Sequence, residues 1–171
     1  LPEVGAHVLA LAGVGKVDAG ASPTAEQLRR AAGSAVRQLA GHGTVVLALP
    51  STTAEDVAAV AEGAALGAYS YTEHKSDAAD GKANVANVIV HTPTAGTRQT
   101  DEALARASVL GTAVNATRTL VNMPPSQLYP ETFADAAREL AKGLPVKVTV
   151  FDEKRLAKDG FGGILAVGQG S

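Results

Sequence analysis

With 171 residues, 46% of them hydrophobic and 19% charged, and a formal net charge of −2, the sequence has the balance of a globular chain. That balance excludes intrinsic disorder, offers no basic patch for nucleic acid, and contains no run approaching the roughly 18 to 20 apolar residues that a spanning helix needs. The absence of cysteine removes disulfides and thiolate metal sites and is compatible with a reducing compartment.

In chain order, His7 to Ala12 is continuously apolar, too short for a typical helix and bounded by Gly5 and Gly13, so a buried strand is expected there. Ser22-Pro23 is expected to open a helix, with Ser22 as cap and Leu28, Ala31, Ala32, Ala35, Val36 and Leu39 as the buried stripe. Thr44 to Leu49 forms a second buried strand, stopped by Pro50, which has no amide to donate to a ladder. A helix then begins at Thr53, with Glu55 and Asp56 at the positive end of its dipole and Val57, Val60, Ala61, Ala64 and Ala68 facing inward. Glu73 to Ala86 is polar and reads as a surface loop leading to a third strand, Val85 to His91, which Pro93 and Gly96 terminate.

Thr100 to Val121 contains no proline and is rich in helix formers, which predicts one long helix with Leu104, Ala107, Leu110 and Val114 on a common side. Asn122-Met123-Pro124-Pro125 must end it, because the residue before a proline leaves the α region and two prolines remove two donors. Pro130 starts a further helix with Phe133, Ala136, Ala137 and Leu140 as its apolar face and Gly143 as terminator. Val146 to Val150 alternates as a strand would; Asp152 caps a short helix through Lys158, Gly160 ends it, and Gly162 to Val167 adds another helical turn. The strand and helix alternation defines an α/β class with parallel pairing.

Motifs that could carry chemistry read as structure. Gly13-Val14-Gly15-Lys16 resembles a phosphate loop only superficially, since Ala10 stands where a glycine is needed and Val17 where a Ser or Thr is needed. Asp18 occupies the third glycine of a dinucleotide fingerprint. His7, His42, His74 and His91 lack the close spacing that puts two zinc ligands on one helix face, and Glu73-His74-Lys75-Ser76-Asp77 reads as a solvated loop. Ser126 and Ser171 sit in no nucleophile elbow, Gly168-Gln169-Gly170-Ser171 reads as a turn, and Asn122 with Pro124-Pro125 forms an elbow.

From Arg118 the chain runs Arg-Thr-Leu-Val-Asn-Met-Pro-Pro-Ser-Gln-Leu-Tyr-Pro-Glu-Thr-Phe, and it closes on Gly-Phe-Gly-Gly-Ile-Leu-Ala-Val-Gly-Gln-Gly-Ser. This order resembles the passage joining the two domains of leucyl (cytosol) aminopeptidases, and the Glu55-Asp56-Val57 to Tyr69 helix with Lys75-Ser76 is similar to their N-terminal domain. The resemblance implies a macro-domain-like three-layer α/β domain, a long linker helix, and the first elements of a second α/β domain. It places the later part of the N-terminal domain at 1–96, the linker at 97–122 and the start of a truncated peptidase domain at 123–171.

The same resemblance implies a parent enzyme that removes N-terminal, preferentially apolar residues from peptides. That parent would use two divalent ions (Mn, Zn or Mg), in a cytoplasmic homo-hexamer of two stacked trimers. The family's glycine-rich metal-binding strand and its Asn-Thr-Asp-Ala-Glu-Gly-Arg motif do not occur in these residues. Catalytic, cofactor-binding and metal-binding residues are therefore all assigned as none, the segment is expected to be architectural and inactive alone, and both ends of the parent are expected to be missing: the first because Leu1 is not an initiator methionine and stands almost directly at a strand, the far one because the metal-binding motifs do not occur. No nucleic acid or membrane partner is expected. The alternative is a stand-alone macro-like ligand-binding or oligomerisation module with a pocket at its strand ends; a nucleotide-dependent oxidoreductase rests on α/β analogy alone.

Overall fold

The computed structural model describes residues 5, 7–74 and 82–169. Its elements are α1 (Ala25–Gln38), β1 (Thr44–Leu47), α2 (Ala54–Gly67), β2 (Asn87–Val90), α3 (Arg98–Asn122), α4 (Pro130–Leu140), α5 (Glu153–Lys158) and α6 (Gly162–Gly168). The chain divides into two compact units, Leu1–Thr117 and Arg118–Ser171, and the division falls within α3.

In the first unit β1 and β2 pair in parallel, Val45 opposite Val88 and Leu47 opposite Val90, with α2 as the crossover between them. Because successive side chains alternate across a strand, Val45 and Leu47 enter the core while Val46 and Ile89, partners in register, stay 59% and 53% exposed on the other face. The buried face meets Leu28, Ala32, Ala35 and Val36 of α1 and Ala59, Val60 and Ala64 of α2. Small side chains let the two helices touch backbone to backbone. A Cβ added at Gly63 would collide with the Arg29 carbonyl, and one at Gly67 with the Gly33 carbonyl. A single ion-pair cluster spans the same seam: Arg29 donates to Glu62 at 2.9 and 3.0 Å and to Glu26 at 2.7 Å. On the far side of α2, Asn115 of α3 donates its side-chain amide to the Ala65 carbonyl at 3.1 Å, and Gly111 leaves room for the Ala65 methyl.

Three local expectations are corrected. The cap of α1 is Thr24, not Ser22: its hydroxyl accepts from the Gln27 amide at 3.3 Å while Gln27 accepts from the Thr24 amide at 2.8 Å, a reciprocal capping box that Ser22 cannot make from two residues earlier. His7 to Ala12 forms no strand, and Val8, Leu9 and Leu11 are exposed, Leu11 by 94%. Val146 to Val150 forms no strand either. Both segments have the apolar pattern of a strand, but a strand exists only where another pairs with its amides and carbonyls, and among the described residues neither has such a partner.

The other elements follow their local signals. Thr53 caps α2 in a second capping box with Asp56. The α3 helix runs to Asn122 and stops at Pro124-Pro125. In the second unit Pro130 opens α4, Asp152 caps α5 by accepting from the Arg155 amide at 2.8 Å, and Gly143 and Gly160 take positive φ beyond α4 and α5. Phe151 and Phe161 pack edge to face at 6.2 Å, with the Arg155 guanidinium over the Phe151 ring. No described residue from 118 to 169 is buried.

Candidate functional site

The carboxyl ends of parallel strands are where open α/β sheets place ligands, so the loops after β1 and β2 are the first place to look. They carry a connected row of hydroxyls. Thr92 Oγ1 donates to the Ser51 carbonyl at 2.8 Å, and Ser51 Oγ reaches the carbonyls of Leu49 at 3.1 Å and His91 at 3.2 Å. Thr92 and Thr94 hydroxyls are 3.0 Å apart; Thr100 donates to Thr94 at 2.9 Å and Thr97 to Thr100 at 3.0 Å. A hydroxyl has one proton, and that of Thr92 is committed to Ser51, so Thr94 must be the donor to Thr92. The result is a one-way relay from Thr97 through Thr100, Thr94 and Thr92 to the Ser51 carbonyl. Ser51 and Thr100 are each 2% exposed.

The neighbouring helix starts are partly satisfied from within. Asp56 Oδ2 accepts from the amides of Thr52 at 3.1 Å and Thr53 at 3.0 Å, and Thr53 Oγ1 accepts from the Asp56 amide at 3.1 Å. At α3 the Thr100 amide donates to Thr97 Oγ1 at 3.3 Å.

A cleft of about 950 Å3 lies in the second unit, lined by residues that include Ala134, Arg138, Phe151, Leu156, Ile164 and Leu165. Two of its acids are engaged locally: Asp135 pairs with Arg138 at 2.6 Å and Asp152 caps α5. A smaller cleft of about 480 Å3 in the first unit is lined by Arg29, Glu55, Glu62, Glu102 and Arg106 among others. Beside it, hydrogen bonds first from Arg30 and then from Arg29 hold the Glu26 carboxyl below its ordinary range, and those to Glu62 and Glu26 raise the Arg29 guanidinium further.

The motifs weighed from sequence are placed apart. Gly13 to Lys16 is irregular, Gly15 has φ of 86°, and the Lys16 carbonyl accepts from the Gln27 side chain at 2.8 Å, so α1 begins well beyond it and no phosphate loop forms. Among the described residues, no group of three or more His, Asp or Glu is placed to hold a metal ion. His91 lends its carbonyl to Ser51, and its amide donates to Leu47 at 3.0 Å. His74 has φ of 64°, while Lys75 to Asp77, Gly170 and Ser171 lie outside the described residues. Ser126 sits in the turn where the amides of Gln127 and Leu128 donate to the Pro124 carbonyl. The sequence reading missed the hydroxyl relay, because it treated the strand ends only as Pro and Gly stops. The visible signal was Ser and Thr after both strands, at Ser51-Thr52-Thr53 and at Thr92, Thr94, Thr97 and Thr100.

A βαβ unit with a clasped strand end, continued by a long helix into a second helical unit, defines an α/β protein of more than one part. The cytosol aminopeptidase family, N-terminal domain, matches residues 1–78, and the cytosol aminopeptidase family, catalytic domain, matches residues 115–171. The chain belongs to the cytosol aminopeptidase family. It is 54% identical over 168 residues to a protein of Micrococcus luteus named "Probable cytosol aminopeptidase", covering 96% of this chain and 33% of that one. A protein of the same name from Clavibacter michiganensis is 47% identical over 171 residues, covering 97% of this chain and 33% of the relative. The solved bottromycin maturation enzyme BotP in complex with Mn superposes with a TM-score of 0.72 at 36% identity, covering 88% of this chain and 31% of that one. The chain thus spans about a third of the length of the curated relatives it matches. No helix among the described residues is long and apolar enough to cross a membrane.

Proposed function

We propose that this chain is the architectural N-terminal portion of a two-metal aminopeptidase, whose whole protein removes N-terminal, preferentially apolar residues from peptides. The observation that carries the reading is the serial match of both family domains, at residues 1–78 and 115–171. In this reading 1–96 is the later part of a macro-like domain, 97–122 the interdomain linker helix and 123–171 the start of the peptidase domain. The whole protein would be a cytoplasmic homo-hexamer acting on peptides, and the word cytosol in the relatives' names supports the compartment.

The active ion pair would be Mn, Zn or Mg; the Mn in the BotP complex supports a divalent ion. The described residues do not fit such a pair, since they bring no cluster of His, Asp or Glu together, so no step of hydrolysis is assigned to them. When bound elsewhere in the whole protein, the ions would activate water and polarise the peptide carbonyl.

The test is hydrolysis of leucine amide with excess Mn or Zn. The pure 171-residue chain is expected to release no leucine, and the product of a reading frame extending past Ser171 into the family's metal-binding motifs is expected to release it. Metal-dependent release by the 171-residue chain itself would overturn the assignment.

A further inference from the structure

The aminopeptidase reading leaves the hydroxyl relay at the strand ends without a task, and its position is that of a ligand crevice. Several of the groups a phosphate would use there are already committed. The amides of Thr52 and Thr53 donate to Asp56, that of Asp56 to Thr53, and that of Thr100 to Thr97. Each threonine proton of the relay is likewise directed to the next oxygen, ending on the Ser51 carbonyl. Glu55, Asp56 and Asp101 in the first turns of α2 and α3 add negative charge where an anion would have to sit.

What the relay does instead follows from its ends. It begins at Thr97, immediately before α3, and finishes in the loop between β1 and α2, while Ser51 bridges back to the carbonyl at the end of β2. We infer that the strand end of the first unit is a closed clasp that fixes the start of α3 to the sheet and takes no phosphate-bearing ligand. Each link polarises the next, most strongly where Ser51, Thr92 and Thr100 are buried, so removing a middle hydroxyl releases the links on both sides.

The experiment uses the 171-residue chain and follows amide hydrogen exchange in wild type, Thr100→Val, Thr100→Ser and Thr97→Val. Thr100→Val keeps the shape but breaks the relay at its buried centre, and is expected to speed exchange in the first two turns of α3 about tenfold while leaving α1 unchanged. Thr100→Ser restores the hydroxyl and is expected to behave as wild type. Thr97→Val, at the exposed outer end, keeps the fold if Thr100→Val does not, and is expected to speed only the first turn. A uniform rise across α1 and α3, or a serine variant that behaves like the valine one, would overturn the clasp. In parallel, ADP and inorganic pyrophosphate at millimolar concentration are expected to leave the amide signals of Thr52 to Asp56 unmoved; a saturable shift there would overturn the closure.

Discussion

The two units are built from similarly apolar sequence and differ in what that sequence has to pack against. In the first, Leu28, Val36 and Val60 are almost wholly withdrawn from water between two helices and a sheet. In the second, α4 has a well-separated apolar side, yet Phe133, Leu140, Ile164 and Val167 are 54%, 51%, 58% and 86% exposed. An amphipathic helix carries only half of a core; the other half must come from a second surface. In the proposed whole enzyme, the remainder of the peptidase domain supplies it.

The strongest way to break this comparison is to truncate one side chain in each unit. Leu28→Ala is expected to destabilise the first unit by about 2 to 5 kcal/mol, because the cavity it leaves is enclosed. Phe133→Ala is expected to change chain stability by no more than about 0.5 kcal/mol, as an exposed substitution does. Chemical denaturation of both variants checks this, and equal losses would mean that the second unit has a core of its own.

A second, smaller effect tests the helix seam. On an ordinary helix Gly→Ala gains about 1 kcal/mol. At Gly63 the new methyl would meet the Arg29 carbonyl, and Gly63→Ala is expected instead to cost about 1 to 3 kcal/mol through forced separation of α1 and α2. Gly162 and Gly163 in the second unit meet nothing within 4 Å, so alanine there is expected to be neutral or mildly stabilising. Thermal melts of the three variants would sharpen the contrast.

The smallest expected effect is electrostatic. Hydrogen bonds from Arg30 and Arg29 lower the folded-state pKa of Glu26 from its ordinary 4.5. A carboxyl depressed in this way contributes stability above its unfolded pKa, and the contribution fades as pH falls from about 4.5 through the lower folded value. The first unit is therefore expected to lose stability over that acid window, and Glu26→Gln to flatten the pH profile there. An unchanged profile in the variant would show that the pair is solvent-screened and contributes nothing.

Helices were legible in the sequence because a helix satisfies its amides and carbonyls from its own residues, so caps and breakers act locally. Thr53, Asp152, the Pro124-Pro125 stop and the glycines at 143 and 160 all act where their chemistry predicts. Strands were legible only where a partner exists. Thr44 to Leu47 and Asn87 to Val90 pair with each other, whereas His7 to Ala12 and Val146 to Val150, equally apolar, remain unpaired among the described residues. The sequence by itself determined the family, through motif order around Arg118 to Ser171, and most helix limits, through local capping. Only the tertiary structure decided which apolar faces are buried, that α1 and α2 touch at Gly33, Gly63 and Gly67, and that five separate hydroxyl residues join into one clasp. The helix contacts and the Thr92 to Ser51 link join residues distant in the chain, and no local preference encodes the distance between them.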